Sequence, residues 1–492
     1  MIKQKHIASQ KGVMPDGVPL GNTPNIGKQR GSSADYNSNN TWYFNGTNGC
    51  FNNNNRYNGN FRSRPVLDYD QYDNSNLETY PVPLSYWLII SMIASRGKQG
   101  KPTYVYFRLH RIEELVQLTH QVNNSELMPT ESTAHIIFEP RVREIVCASA
   151  SKRVVQAFYI MQLQPYLEQF MYHPDSYSCR PKKGSLRAVR QLQEYVFEAT
   201  EDYSRDCWLA KVDLQAFFMS LDCFDLCNTI SAFIKQHFAR SPYLDLMLYL
   251  TRVIYLAATK DHIKDMATAK ERALLDPRKS LYNQPYYKGV PIGDWTSQTA
   301  GLIKTTGALL YLASLGYRFV HYTDDTAIVV TDRDKWLKED AWRFENYYRQ
   351  QGLTLHPSKR YFQHYSKGVE MLGYKVRFNR LLPSDRVYHN IMWYVERTVR
   401  RATANFNFAL LHKQQILSSV NSYLGMLRHM SAYRLRKRIC EQIEASPLGA
   451  LLMPDKDYTK VNIRPRYSDR THYRAAFRAT KQQYKQDLLL VA

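Results

Sequence analysis

Apolar and polar positions along the chain fall into three regimes. Residues 1 to about 75 are polar throughout and rich in Asn, Gly and Ser, with Asn52-Asn53-Asn54-Asn55 following Trp42-Tyr43-Phe44-Asn45-Gly46. So little apolar area cannot offset the entropy of ordering, and an unfolded leader is predicted there, with an adhesive arm as the alternative that the aromatics suggest. From about residue 80 the periods of helix and strand take over. Tyr86 to Ala94 is a continuous apolar run; it falls well short of the roughly 20 residues that span a bilayer and reads as a buried helix. Leu109 to Leu118 has helical apolar spacing, while His135 to Val146 sets Arg141 and Arg143 among alternating apolar residues, as on a half-buried strand. Gly316 to Val320 and Ala327 to Val330 are aromatic and β-branched, the pattern of a hairpin. Ile391 to Phe408 and Ile416 to Ile443 read as helices on which Arg and Lys recur face by face. The final stretch, with Tyr458, Tyr467, Tyr473, Tyr484 and Lys485, is basic and tyrosine-rich.

At 492 residues and 57.6 kDa the chain can bury large cores and is expected to hold two or three subdomains and a tail. A formal charge of +22 points to a polyanionic partner, because Lys and Arg gain affinity by releasing counterions from phosphates. The seven cysteines form no Cys-x-x-Cys pair, which argues against a disulfide framework and a zinc ribbon. Met1 to His6 has no apolar signal core, so a cytoplasmic protein with reduced thiols and no membrane partner is expected.

The chemistry centres on the predicted hairpin, whose tip holds Asp324-Asp325 within His321-Tyr322-Thr323-Asp324-Asp325-Thr326. Neighbouring like charges need a cation, and a pair of Mg²⁺ ions gripping a nucleoside triphosphate is the usual reason to build such a turn. Alone, an Asp-Asp pair reads equally as a solvated turn. It is not alone: Lys211-Val212-Asp213-Leu214-Gln215-Ala216-Phe217-Phe218 is a β-like run with an acid and following aromatics. Between the two lies the glycine-punctuated loop Gly289 to Gln298, leading into a helix; after them come Leu355-His356-Pro357-Ser358-Lys359 and Met371-Leu372-Gly373-Tyr374. Asp222 reads as a helix cap.

In this order the blocks resemble the palm motifs of reverse transcriptases, with Tyr322-Thr323-Asp324-Asp325 as the family's Tyr-x-Asp-Asp signature. The resemblance implies an α/β (α+β) right-hand polymerase fold: an N-terminal extension over 1–78, fingers over 79–205, a palm over 206–384, a helical thumb over 385–446 and a basic tail over 447–492. It implies two Mg²⁺ ions per site, held by Asp213, Asp324 and Asp325 with the Leu214 backbone, and Lys359 as general acid toward pyrophosphate. The nucleotide would meet Arg143 of the fingers, Tyr322, Ile292, Gly293, Gln298 and an aromatic steric gate. Phe218 is the gate, or Phe217 if the register shifts by one, and either favours deoxynucleotides. Template and primer phosphates would meet Arg180, Lys182, Lys183, Arg434, Arg436 and Lys437, with Gly373 in the primer grip. Residues 260–288 form an insertion, expected to contact RNA or another subunit or to be a plain surface loop.

Ile292-Gly293-Asp294-Trp295-Thr296-Ser297-Gln298 resembles the diversity-generating branch, and the chain as a whole resembles stand-alone bacterial enzymes of the diversity-generating and defence-associated branch. That branch implies cDNA synthesis from a noncoding RNA template using dNTPs, in anti-phage defence. The alternatives are a low-fidelity diversity-generating enzyme, a protein-primed or template-independent DNA polymerase, and a non-catalytic RNA-binding scaffold. Homo-oligomerisation is left open.

Overall fold

The computed structural model describes residues 40–45, 50–55, 81–98, 101–127, 131–138, 141–257 and 260–467. Within the N-terminal extension the strands Asn40–Asn45 and Cys50–Asn55 pair antiparallel, Asn40 opposite Asn55. The aromatic Trp42-Tyr43-Phe44 run has the side chains that favour strands, so at least this part departs from an unfolded leader. The remainder of 1–80, and the tail features Tyr473, Tyr484 and Lys485, lie outside the described residues. Among the described residues no helix is long and apolar enough to cross a membrane.

The chain divides into two compact units: Met1–His173 with Gln215–Leu309 and Tyr348–Thr354, and Pro174–Leu214 with Leu310–Tyr347 and Leu355–Ala492. In the first, the apolar run forms the helix Leu84–Ala94, whose buried Trp87 packs at 5.1 Å, with rings tilted by 46°, against Phe158 of the helix Ala150–Phe170. Phe158 in turn meets Tyr243 edge-on at 5.6 Å. The helical spacing at Leu109–Leu118 resolves into Arg111–Asn123, with Leu109 ending the preceding helix Pro102–Leu109. His135 to Val146 is a hairpin rather than one strand: Ser132–Ile137 pairs antiparallel with Arg143–Ala148. Glu139-Pro140 stands between them, and a proline has no N–H to continue a ladder.

The 260–288 insertion is not a plain surface loop. Its strand Ile263–Asp265 extends the hairpin, pairing parallel with Ser132, Thr133 and Ala134. Behind that sheet Glu144, 1% exposed, accepts from the Leu281 N–H at 2.8 Å and Ser280 Oγ at 3.0 Å, and pairs with Arg272. Ala134, Val146, Met219, Ile263 and Leu281 close the small core between insertion and hairpin.

The second unit is built on a four-stranded antiparallel sheet ordered Arg318–Tyr322, Asp325–Val330, Trp208–Asp213 and Tyr361–His364. Leu209, Val320, Ala327 and Val329 of this sheet share a core with Ala188, Val189 and Leu192 of the helix Ser185–Ala199. The same core runs through the three-stranded sheet Val369–Met371, Tyr374–Arg377 and Arg380–Pro383 into the helices Asp385–Ala404, Phe406–Leu411, Lys413–Leu427 and Tyr433–Glu444. The first part of the expected tail folds onto those helices. Strands Leu452–Pro454 and Val461–Ile463 pair there, and the Asn421 amide bonds both backbone groups of Val461, at 2.7 and 2.9 Å.

Candidate active site

Strand period places the acids. Asp213 ends Trp208–Asp213 and lies opposite Asp325, the first residue of Asp325–Val330. Side chains alternate along a strand, so Lys211 shares a face with Asp213 and stands diagonally across from Asp325. Its ammonium reaches Asp325 Oδ1 at 3.1 Å. Asp324 lies in the turn, and its carbonyl accepts the Leu214 N–H at 3.1 Å, which ties the end of the central strand to the hairpin tip. The Asp213 carbonyl likewise accepts from His356 N–H at 2.7 Å, and three residues on Lys359 bonds Asp213 Oδ2 with its ammonium. Asp213, Leu214, Asp324, Asp325 and Lys359 are therefore brought together within one unit, joined there by Lys211, to which the sequence reading gave no role.

The electrostatics of this cluster are those of too little positive charge. Burial, then the charges of Asp325 and Asp213, push the Asp324 carboxyl from 3.8 up to about 7. Asp325 is also raised, by burial first, although Lys211 opposes the shift. Among the described residues no three acids or other ligand groups close into a ready metal cage. The donor chemistry nevertheless suits Mg²⁺: hard carboxylate oxygens drawn from two strands, with ammonium groups standing where cationic charge belongs.

The hairpin tip is held from outside. Thr323 has φ +60° and gives its N–H to Ser178 Oγ at 3.1 Å. Tyr322 is half-buried and its hydroxyl proton is held more tightly than usual by burial. Of the basic turn Arg180 to Lys183, Lys182 is exposed with φ +58°. Arg180 donates to the Ser176 carbonyl at 2.8 Å, and Lys183 to that of Pro174 at 2.6 Å. Gly373 sits with φ +85° in the turn before Tyr374–Arg377, and a Cβ there would meet Met426 Cε at 2.7 Å. The close approach this glycine permits is thus to the chain's own helix. Arg434 is exposed, Lys437 pairs with Glu441 at 3.7 Å, and Arg436 donates to the Asp457 carbonyl at 2.9 Å.

In the other unit, Phe217 is 4% exposed and packs over Gly301, whereas Phe218 is half-exposed. Asp222 caps the helix Cys223–His237 through the Asp225 N–H at 2.9 Å, as expected. The Gly289–Gln298 loop is seated on the hairpin Ser132–Ile137/Arg143–Ala148: Val146 donates to the Ile292 carbonyl at 2.7 Å. Gly293 adopts φ +125° there, and a Cβ would lie 2.2 Å from the Val146 oxygen, so only glycine fits. Buried Asp294 pairs with Lys152 at 3.4 Å, a contact missed from sequence. Ile292 is half-buried, Gln298 is exposed on the helix Trp295–Ser314, and Arg143 is exposed at the start of its strand.

Residues 139–376 match the family model for reverse transcriptase (RNA-dependent DNA polymerase). The chain carries a reverse transcriptase domain. The domain is that of an RNA-directed DNA polymerase, a nucleotidyltransferase, and its mixed helix-and-sheet architecture is the reverse transcriptase fold. Among solved structures, apo telomerase from Candida tropicalis is similar over 65% of this chain and 62% of its own, with 10% identity and a TM-score of 0.39. Candida tropicalis telomerase with a TWJ fragment of telomeric RNA is similar over 68% and 61%, at 10% identity and 0.39. The corresponding Candida albicans complex gives 70% and 66%, at 9% identity and 0.38. The chain spans about three-fifths of the length of the first of these. Comparison with curated proteins gives no match.

Proposed function

We propose that this reverse transcriptase copies a noncoding RNA into DNA at the Asp213, Asp324 and Asp325 cluster, in the bacterial cytoplasm and in defence against phage. The observation that carries the chemistry is the cross-strand pair Asp213 and Asp325 with Asp324 beside it, its carboxyl raised to about 7 by burial and then by the charges of Asp325 and Asp213. Two Mg²⁺ ions would be held by these carboxylates and the Leu214 backbone. Bound there, they would supply Lewis acidity at the primer hydroxyl and charge neutralisation at the triphosphate.

The remaining roles belong to the chain. Lys211 balances Asp325 and fixes its direction. Lys359, already hydrogen-bonded to Asp213, is the ammonium placed to donate a proton to the departing pyrophosphate. Arg143, Tyr322, Ile292, Gly293 and Gln298 form the nucleotide's surroundings. Phe218 is the steric gate in this reading, because it stays partly exposed while Phe217 is buried. Replacing it, Phe218→Val, is expected to raise ribonucleotide use relative to deoxynucleotide use by about tenfold to a hundredfold, since a clash of a few kcal/mol is removed. Unchanged discrimination in single-nucleotide extension would remove Phe218 from this role. Lys182, Arg434 and Lys437 are the exposed cations proposed to track phosphates, with Arg180, Lys183, Arg436 and Gly373 shaping the surfaces that carry them. The defence role and the RNA template rest on the resemblance of the ordered blocks as a whole to stand-alone bacterial enzymes of the diversity-generating and defence-associated branch.

The test uses protein purified with its accompanying RNA, given Mg²⁺ and dNTPs, with the product sequenced beside an Asp324→Ala, Asp325→Ala control. DNA made only by the intact protein and complementary to that RNA is the expected result. A homopolymer or protease-sensitive product would replace templated synthesis with unusual priming, and absence of DNA from folded, RNA-bound protein would leave a binding scaffold.

A further inference from the structure

The tip of the catalytic hairpin holds a strain that needs support. Thr323 is β-branched yet has φ +60°, where Cβ crowds the backbone and only glycine, or Asn and Asp with their short polar side chains, settle readily. It is the residue between Tyr322 and Asp324, so its torsion sets the direction in which Asp324 leaves the strand. A turn of this kind on a surface would give its N–H to water. Here the acceptor is Ser178 Oγ at 3.1 Å, on a side chain 1% exposed.

Ser178 is itself immobilised. Its segment runs beside Arg318–Tyr322, at the edge of the four-stranded sheet, through a parallel bridge between Ser176 and His321. The His321 N–H donates to the Asp175 carbonyl at 2.9 Å, and the Tyr177 N–H returns a bond to the His321 carbonyl at 2.9 Å. Tyr195 donates its hydroxyl to Asp175 Oδ1 at 2.7 Å, and the Gly184 N–H closes the loop on the Tyr177 carbonyl at 3.0 Å. The cations of the turn serve the same end: Arg180 and Lys183 bond the Ser176 and Pro174 carbonyls, and Lys183 lies 4.5 Å over the Tyr177 ring.

We infer that Ser178 is a positioning residue, a buried hydroxyl that keeps Thr323 in the left-handed region and so aims the Asp324 carboxylate at the cation site. The inference rests on the proposed function of that site, and it explains why a polar side chain is buried beside the hairpin. The strap Asp175–Gly184 is then part of the catalytic framework, in addition to being a basic loop.

The full chain with its bound RNA tests this through Mn²⁺ affinity without dNTP, kcat and KM for dNTP, and the thermal midpoint. Ser178→Ala is expected to lower kcat about tenfold and weaken Mn²⁺ binding several-fold, with KM within about twofold and the midpoint little changed, because misaiming costs chemistry before it costs stability. Asparagine populates positive φ on its own, so in a Thr323→Asn background the same Ser178→Ala change should cost at most about twofold. Equal kcat and Mn²⁺ affinity in wild type and Ser178→Ala would overturn the inference, as would a loss that follows the thermal midpoint and is not relieved by Thr323→Asn. A wild type that makes no DNA would sink the proposed function instead, while the Mn²⁺ comparison would still decide the role of Ser178.

Discussion

Glu144 in the first unit and the Asp213, Asp324 and Asp325 cluster in the second both withdraw carboxylates from water, and the two are treated differently. Glu144 has both oxygens satisfied: Arg272 and Ser280 at one, the Leu281 N–H at the other. Arg272 is further fixed by Asp265 at 2.6 Å and lies 4.6 Å from the Tyr282 ring centre. That acid is an internal fastener, joining the 260–288 segment to the hairpin Ser132–Ile137/Arg143–Ala148. Asp213, Asp324 and Asp325 share two lysines among three acids, and burial, with the mutual repulsion that two lysines leave uncancelled, raises the proton affinity of Asp324 and Asp325. A structural acid is neutralised by its own chain, whereas a site built for a cationic ligand keeps a deficit for the ligand to fill.

The comparison breaks if removing charge has the same consequence in both places. The largest expected effect is at Asp324→Asn: DNA synthesis should fall at least about a thousandfold, equivalent to about 4 kcal/mol, with the thermal midpoint at pH 8 unchanged or higher because repulsion is relieved. Coupled loss of fold and activity would place Asp324 with Glu144. Next, Glu144→Ala should cost about 3 kcal/mol of stability, since it takes the acceptor from the buried Leu281 N–H and Ser280 hydroxyl and one of the two acids from Arg272. A denaturant midpoint equal to wild type would show the fastener to be dispensable.

Smaller is the pH effect. The Asp324 carboxyl is raised from 3.8 to about 7, so the native state binds more protons than the unfolded chain between those values. Stability from this group is complete below about pH 4 and is lost as pH rises through about 7, and added Mg²⁺ should restore it above that point. The difference in thermal midpoint between wild type and Asp324→Asn, followed from pH 4 to 8 without metal, measures it; a difference that does not vary with pH would mean no shift. Smallest is Lys211→Met, expected to raise the Asp325 pKa further and slow synthesis about tenfold, with recovery as the assay pH rises.

Much of this site was legible because its chemistry is written in short segments. Alternation around Asp213 and the β-branched flanks of Asp324-Asp325 place acids at strand ends whatever packs around them, and period two also put Lys211 on the face of Asp213, though that signal went unused. Steric rules carried Asp222 to its helix cap in the same local way. The helical character of Ile391–Phe408 and Ile416–Ile443 followed from their 3.6-residue period, although each stretch is divided between two helices.

Other features depend on residues far apart in the chain. Ser178 meets Thr323 only because the Asp175–Gly184 segment lies beside the sheet edge, and Glu144 meets Arg272 only because the insertion adds a strand to the hairpin. The split of His135–Val146 into two strands, the burial of Phe217 against Gly301 beside a partly exposed Phe218, and Arg436 turning to backbone carbonyls are of the same kind. Local sequence sets backbone preference and the side a residue faces, because those depend on its own torsions and near neighbours. Which partner satisfies a buried polar group is decided by tertiary packing, since the cost of leaving it unpaired is incurred only once water has been excluded.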